Sequence, residues 1–316
     1  MRWIAESTGT PQRGLGCRPM GAVPHPIPYQ GSKRRLAPQI LDFVDGLTFQ
    51  TLYEPFAGSA AFTIAANSRG LAEQYVIGDS LEPLMDIWRA MLGTPTALAS
   101  AYENLWEEQS REPREHFNRV RSEYNEKGGA ARLLYLLARC VKNAPRWNKR
   151  GGFSQSADHR RKGMHPSRMR AQISGCHELL SGNTTPLAKD ASATSAMAGS
   201  MDLVYLDPPW QGTSSGPDTR YHAGFDRIDL EAMLASLNTR RVPWILSYDG
   251  RHGEKTYGPS LPRDLVGAHV ELAAGRSSQA TLNGRSAETF ESLYLSPTLV
   301  DGMPTKQVEH HLVLAL

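Results

Sequence analysis

Residues 202 to 210 read Asp-Leu-Val-Tyr-Leu-Asp-Pro-Pro-Trp, an apolar run of strand length that stops in an acid, two prolines and an aromatic. Asp207 and the Pro208 carbonyl are two hydrogen-bond acceptors side by side, stiffened by Pro208 and Pro209, with the flat face of Trp210 next to them. Such a set suits a planar ring bearing an exocyclic NH₂. The acceptors take its two N–H groups while the indole stacks on the ring. An ordinary turn after a core strand would also look like this, so the surrounding elements have to decide.

A clamp of this kind needs a rigid mount. An apolar run stopped by proline predicts a strand buried in a mostly parallel sheet, because proline has no N–H to continue a ladder. Asp207 then stands at the strand's carboxyl end, where open α/β sheets place their ligands. Residues 52 to 67 (LYEPFAGSAAFTIAAN) read as strand, small-residue turn and helix, the opening unit of a nucleotide-binding half sheet. Residues 75 to 79 form a second short strand ended by an acid, Asp79, placed to bind ribose hydroxyls. Residues 185 to 190 read as another, ended by Asp190, which is equally an exposed turn residue. Residues 243 to 249 predict a fifth strand, and residues 269 to 272 with 291 to 295 a closing antiparallel pair. Ahead of them all, residues 28 to 36 predict a loop opening a helix, with Ser32 as its N-cap.

Residues 94 to 181 differ in kind. They read as charged helices, then an apolar helix over 130 to 141, then a basic block. Between Arg139 and Arg170 ten Lys and Arg face a single acid, Asp158, a local charge of +9 in a chain whose net charge is +3. The rest of the molecule therefore carries −6. A basic block in an otherwise acidic protein is the footprint of a nucleic-acid contact, although a solvated basic loop would carry the same charge.

These motifs, in this order, resemble those of the Dam-like (D12 class) adenine methyltransferases. Residues 207 to 210 are similar to that family's Asp-Pro-Pro-Tyr/Phe/Trp signature, and residues 29 to 33 (YQGSK) to its aromatic-x-Gly-Gly-Lys motif. Residues 54 to 60 resemble its Glu-Pro-Phe-x-Gly-x-Gly loop, except that Ala60 replaces the last glycine. Residues 146 to 153 resemble its recognition segment, Arg-x-Asn-x-x-Gly-x-Phe, but Val141-Lys142-Asn143 stands where the family has Phe-Asn-Gly. That departure lies where bases are read, so Dam's own site specificity does not carry over.

The resemblance implies a doubly wound, mostly parallel α/β sheet of Rossmann-like type with an inserted, mainly helical target-recognition domain. The implied organisation is an arm (1–25), a cofactor-binding part (26–93), the insertion (94–181), a catalytic part (182–296) and a tail (297–316). S-adenosylmethionine is the implied cofactor, contacted by Tyr29, Lys33, Phe56, Gly58, Asp79, Asp190 and Asp207. Asp207, Pro208, Pro209 and Trp210 are the implied catalytic set. Arg146, Asn148, Lys149 and Arg150, with Arg160, Arg161 and Lys162 of the basic block, are the candidate DNA contacts.

The expected function is N6-methylation of an adenine flipped out of double-stranded DNA, with or without a paired restriction endonuclease. Cytosine-C5 chemistry would need a nucleophile in a Pro-Cys loop, and none of Cys17, Cys140 and Cys176 follows a proline. Cytosine-N4 transfer would suit the same clamp, though that group more often has Ser at the Asp207 position. A disabled methyltransferase fold acting as a DNA-binding regulator, and an enzyme acting on RNA or a protein amide, are the alternatives. Three scattered cysteines point to a reducing cytoplasm and to no disulfide framework or Cys/His metal site. Residues 1 to 28 lack the apolar stretch of a signal peptide or membrane helix.

Overall fold

The structure, a computed structural model, describes residues 23–209, 226–252, 255–256, 259–276 and 288–304. In chain order these build α1 (Ala37–Asp42), β1 (Phe49–Glu54), α2 (Ala61–Ser68), β2 (Ala72–Asp79), α3 (Glu82–Gly93), α4 (Pro95–Glu108), α5 (Pro113–Lys127), α6 (Ala130–Arg139) and α7 (Pro166–Leu180). There follow β3 (Thr184–Ala188), α8 (Ala191–Ser195), β4 (Leu203–Leu206), α9 (Arg227–Thr239), β5 (Trp244–His252), β6 (Lys255–Thr256), β7 (Ala268–Arg276), β8 (Glu288–Leu295) and α10 (Pro297–Gly302).

The strands form one sheet in the order β3-β2-β1-β4-β5-β8-β7, with β6 paired to β5. From β3 to β5 neighbours run parallel, and β8 and β7 close the sheet antiparallel. Strand order reverses between β1 and β4, so the segments leaving those two strands diverge and open a crevice.

β4 shows how sequence enforces this. All four of its residues are buried, as a central strand covered on both faces requires. Alternate residues go to opposite sides: Leu203 and Tyr205 pack with Ile40 and Phe62 of α1 and α2, Val204 and Leu206 with Leu230 and Leu234 of α9. Asp202 pins the strand's start, its Oδ1 accepting the Thr51 N–H at 2.9 Å and its Oδ2 the Gly199 N–H at 2.8 Å.

The insertion is helical, as the sequence predicts, and α4, α5 and α7 each carry proline in the first turn, where its missing N–H costs nothing. Its boundary is one of sequence rather than of packing. A single apolar cluster runs from Ile64 and Ile77 through Trp88 of α3 into Tyr102, Phe117, Leu134 and Ile173 of the insertion.

Three expectations change. Ser32 does not cap a helix: α1 starts after Leu36, with proline in its first turn, and residues 32 to 36 make tight turns on the Lys33 carbonyl. The stretch read as a tail begins with α10, whose Leu299 is buried in the core. Residues 23 to 25, read as the end of the arm, are tied down by the His25 N–H, which donates to Gln172 Oε1.

Candidate active site

The two-residue period of β strands assembles the centre of the crevice. Leu52, Tyr205, Leu293 and Leu295 belong to the cluster on the α1–α2 face of the sheet. Two residues further along the same faces stand Glu54, Asp207 and Glu291, so three carboxyls from β1, the end of β4 and β8 converge. Lys33, in the turns before α1, reaches in from that side. Its Nζ lies 2.9 Å from Asp207 Oδ1 and 2.5 Å from Glu291 Oε1, and the side chains of Lys33, Asp207 and Glu291 are only 10%, 19% and 7% exposed.

Burial and charge compete here. Burial alone would lower the Lys33 ammonium, but Asp207 and Glu291 outweigh it and hold it above its ordinary value. Burial, reinforced by Glu291 and opposed by Lys33, pushes Asp207 up to about 6. Glu54 is pushed by burial up to about 8, although its Oε2 accepts the Thr63 N–H of α2 at 2.9 Å. The cluster thus sets a lysine-bound Asp207, which gives up its proton the more readily, beside a Glu54 whose burial favours the protonated form. Above them the Tyr205 ring stacks on Phe62 at 3.8 Å, and its hydroxyl bonds Ser247 of β5 at 3.0 Å.

The loop after β1 forms the neighbouring wall. The Ala57 N–H bonds the Gly78 carbonyl at 2.8 Å, and Asp79 accepts the N–H of Gly58 at 3.1 Å and of Leu81 at 2.9 Å. Gly58 has φ +50°, and a Cβ there would stand 3.6 Å from the Tyr29 ring, so Tyr29 covers the loop at van der Waals distance. Ser59 Oγ donates to Ser32 Oγ at 2.9 Å, joining this loop to the Tyr29–Lys33 turn. Ala60, where the resembling motif has glycine, takes the left-handed conformation a glycine would take, φ +47° and ψ +37°. Its methyl is fully buried in the core cluster rather than in the crevice, so the substitution leaves the crevice open at the cost of local backbone strain. Phe56 lies partly buried at the loop's start.

Other candidates are placed differently. Asp190 is exposed and caps α8, its Oδ1 accepting the Ala193 N–H at 2.8 Å. Pro208 is buried and Pro209 half-buried, while Trp210 lies outside the described residues. The recognition segment is a hairpin: Trp147 pairs with Phe153, and both rings meet Tyr124 of α5. Asn125 clasps Phe153 through its N–H and its carbonyl, at 2.7 and 3.0 Å. Asn148 shapes the tip, its Oδ1 accepting the N–H of Arg150 and of Gly152, which leaves Lys149 and Arg150 exposed.

The basic block is less uniform than its composition. Arg139 is buried and donates to the carbonyls of Asp158 and Arg161, Arg170 pairs with Glu103, and Arg161 grips Asp158 through Nε and Nη2. Arg160 and Lys162 are exposed beside them. Across from this segment, Arg114, Asn118 and Arg121 of α5 face Ser156 and His159 over a cleft of about 210 Å³.

Sequence reasoning missed Glu54 and Glu291. The signal was present: extending the alternation back from Leu295 and Leu293 puts Glu291 on the buried face. Among the described residues no group of three His, Cys, Asp or Glu is placed to hold a metal ion, and no helix is long and apolar enough to cross a membrane. Cys140 and Cys176 are buried, and burial pushes the Cys140 thiol up to about 12.

A doubly wound sheet with a lysine-bound carboxyl cluster at the reversal of strand order defines an α/β fold of Rossmann-like type, with its crevice at the carboxyl ends of β1 and β4. Comparison with known proteins gives the family: residues 29–300 match the D12 class N6 adenine-specific DNA methyltransferases, and the chain belongs to that family. It is 26% identical over 241 residues, 73% of this chain and 80% of the other, to the Retron Ec67 DNA adenine methylase of Escherichia coli. The solved structure of yhhF from Escherichia coli covers 85% of this chain and 90% of its own at 13% identity, with a TM-score of 0.37, too slight a likeness to bear on the fold. The protein is an adenine-specific DNA methyltransferase that methylates N6, and DNA is its substrate.

Proposed function

We propose that Asp207 and the Pro208 carbonyl hold the exocyclic amine of an adenine flipped out of double-stranded DNA, with S-adenosylmethionine as the methyl donor. The amine is otherwise inside the stack, beyond reach of a buried carboxylate. The observation that carries this reading is the Asp207 carboxylate itself, fixed by Lys33 at the end of β4 with its side chain still 19% exposed. An acceptor held in that way stabilises the amine nitrogen as it gains positive charge, with no covalent step. Trp210 is assigned the stacking face and Pro209 the stiffening of the turn.

The donor supplies a methyl group on a positively charged sulfur. This chain's residues fit such a molecule: an acidic centre welcomes a cation, and Gly58 leaves the loop backbone bare beneath the Tyr29 ring. Tyr29, Phe56 and Gly58 are assigned to its binding, Asp79 to ribose hydroxyls, and Asp190 to its adenine alongside the capping it already performs. Lys33 and Asp207 complete the set from the acidic side.

For DNA, the exposed Lys149 and Arg150 at the hairpin tip, with Arg146 and Asn148, are assigned to the target sequence, and Arg160 and Lys162 to phosphates. Arg161 contributes less free charge than composition implies, because Asp158 already neutralises it. The α5 cleft extends the basic surface through Arg114 and Arg121. We place the enzyme in the cytoplasm on nucleoid DNA, where a partner restriction endonuclease would share its site.

Single-turnover methylation tests the centre of the proposal. Asp207→Asn keeps the size and one acceptor but removes the charge, so the chemical step should slow on the order of 100- to 1,000-fold while DNA affinity stays near wild type. A wild-type rate in that variant would remove Asp207 from the chemistry.

A further inference from the structure

Three carboxyls and one ammonium meet at the end of β4; of the two not assigned to substrate, Glu54 accepts the Thr63 N–H and Glu291 has no backbone partner among the described residues to explain it. Glu291 sits in the interior of β8, on a face otherwise occupied by Leu293 and Leu295. A leucine there would cost less than a desolvated charge, since buried ion pairs seldom outperform apolar packing in stability. The sheet is also irregular opposite it. β5 is irregular between Ser247 and Gly250, and Gly250, opposite Glu291, has its Cα so close to β8 that a Cβ would stand 2.2 Å from the Phe290 carbonyl. Asp249 beside it takes the left-handed φ of +55°, a conformation that costs a non-glycine residue energy.

We infer that Glu291 is a positioning residue of methyl transfer, acting through Lys33 to hold the Asp207 carboxylate in the orientation that receives the adenine amine. Glu291 gives the Lys33 ammonium, at the end of a flexible four-carbon stem, a second carboxylate contact beside Asp207. Two carboxylates, at 2.9 and 2.5 Å, fix it from two sides. Lys33 in turn commits Asp207 Oδ1, so the orientation of the carboxylate is set before substrate arrives. This inference rests on Asp207 being the amine acceptor.

The groups facing Asp207 come from each element around it: Lys33 before α1, Glu54 on β1, Tyr205 on β4 and Glu291 on β8. Their signs make the test directional. Carbon-detected NMR of aspartate-labelled, ligand-free protein would follow the Asp207 carboxyl, whose titration in wild type is expected near pH 6. Glu291→Gln removes a like charge and should move that midpoint down, whereas Lys33→Met removes the attracting cation and should move it up.

In single turnover at pH 8, Glu291→Gln should slow methylation on the order of 10- to 100-fold, because a misplaced acceptor is felt in the chemical step. The KM for DNA should be unchanged. A wild-type rate, or an unmoved Asp207 midpoint, would overturn the assignment. Should Glu291→Gln lose the native circular-dichroism spectrum, Glu291→Asp carries the test. It keeps the charge one methylene further back and should lower the rate with a smaller shift in midpoint. A wild-type rate and midpoint there would overturn it equally. Asp207→Asn at wild-type rate would instead sink the reading beneath, so the two failures are told apart.

Discussion

Two of the three acidic side chains in the crevice, Glu54 and Asp207, are pushed up to different extents by their surroundings. Glu54, deepest, keeps its proton to about pH 8, while Asp207, bound by Lys33, gives its proton up near 6. The sign for stability follows from the unfolded chain, where Glu54 titrates near 4.5. Between about pH 4.5 and 8 the folded protein holds a proton that the unfolded chain has released, so rising pH favours unfolding through this residue. Glu54→Gln keeps an acceptor for the Thr63 N–H without the titration. Its melting temperature should gain on wild type as pH goes from 5 to 8, and a constant difference would show that Glu54 is ionised in the folded state. On the role proposed for Asp207 activity runs the other way, because its carboxyl has to be ionised to accept the amine, so the rate should fall as pH drops below about 6. Asp207 was legible in the sequence because prolines marked the strand end. Glu54 was legible only as part of a loop motif, since nothing local reports how completely a carboxyl is buried.

Among the elements, the ones sequence reads best are those whose residues explain themselves. β4 is uniformly apolar and ends in proline, and α4 and α5, within the stretch read as charged helices, open on proline. β5 is the opposite case, because its bulge depends on how near β8 passes, a long-range fact that residues 243 to 249 do not carry alone. Gly250 is where this can be tested. An added Cβ would meet backbone rather than a movable side chain, so Gly250→Ala should lower stability by roughly 1–3 kcal/mol. If the bulge exists to seat Glu291, methylation under folding conditions should also fall. Urea denaturation and single-turnover rates on the same preparation separate the two effects. The Ser32 reading failed for a similar reason: its hydroxyl found a tertiary partner in Ser59, which a helix-cap rule judged from neighbours cannot anticipate.

At the scale of the whole molecule, charge was legible in amount and not in disposition. Ten basic residues cluster in sequence, yet Arg139, Arg161 and Arg170 are engaged within the fold, and α5 contributes Arg114 and Arg121 from outside the block. Log DNA affinity falls with log salt by about 0.9 per phosphate contact. Neutralising Arg160 and Lys162 together should therefore make the slope shallower, whereas Arg139→Ala should act on stability and leave the slope alone. A slope unchanged by the first pair would place them toward solvent. One further link spans the molecule. The Gln30 N–H, in the turn that carries Tyr29 and Lys33, donates to the Asn143 carbonyl at 2.9 Å, and Lys142 and Asn143 both take left-handed backbone, φ +57° and +52°. The turn assigned to the methyl donor and the entry to the hairpin assigned to the target sequence are thus one hydrogen bond apart. Thermodynamic reciprocity then applies: whatever factor DNA exerts on the affinity for the methyl donor, the donor must exert on the affinity for DNA.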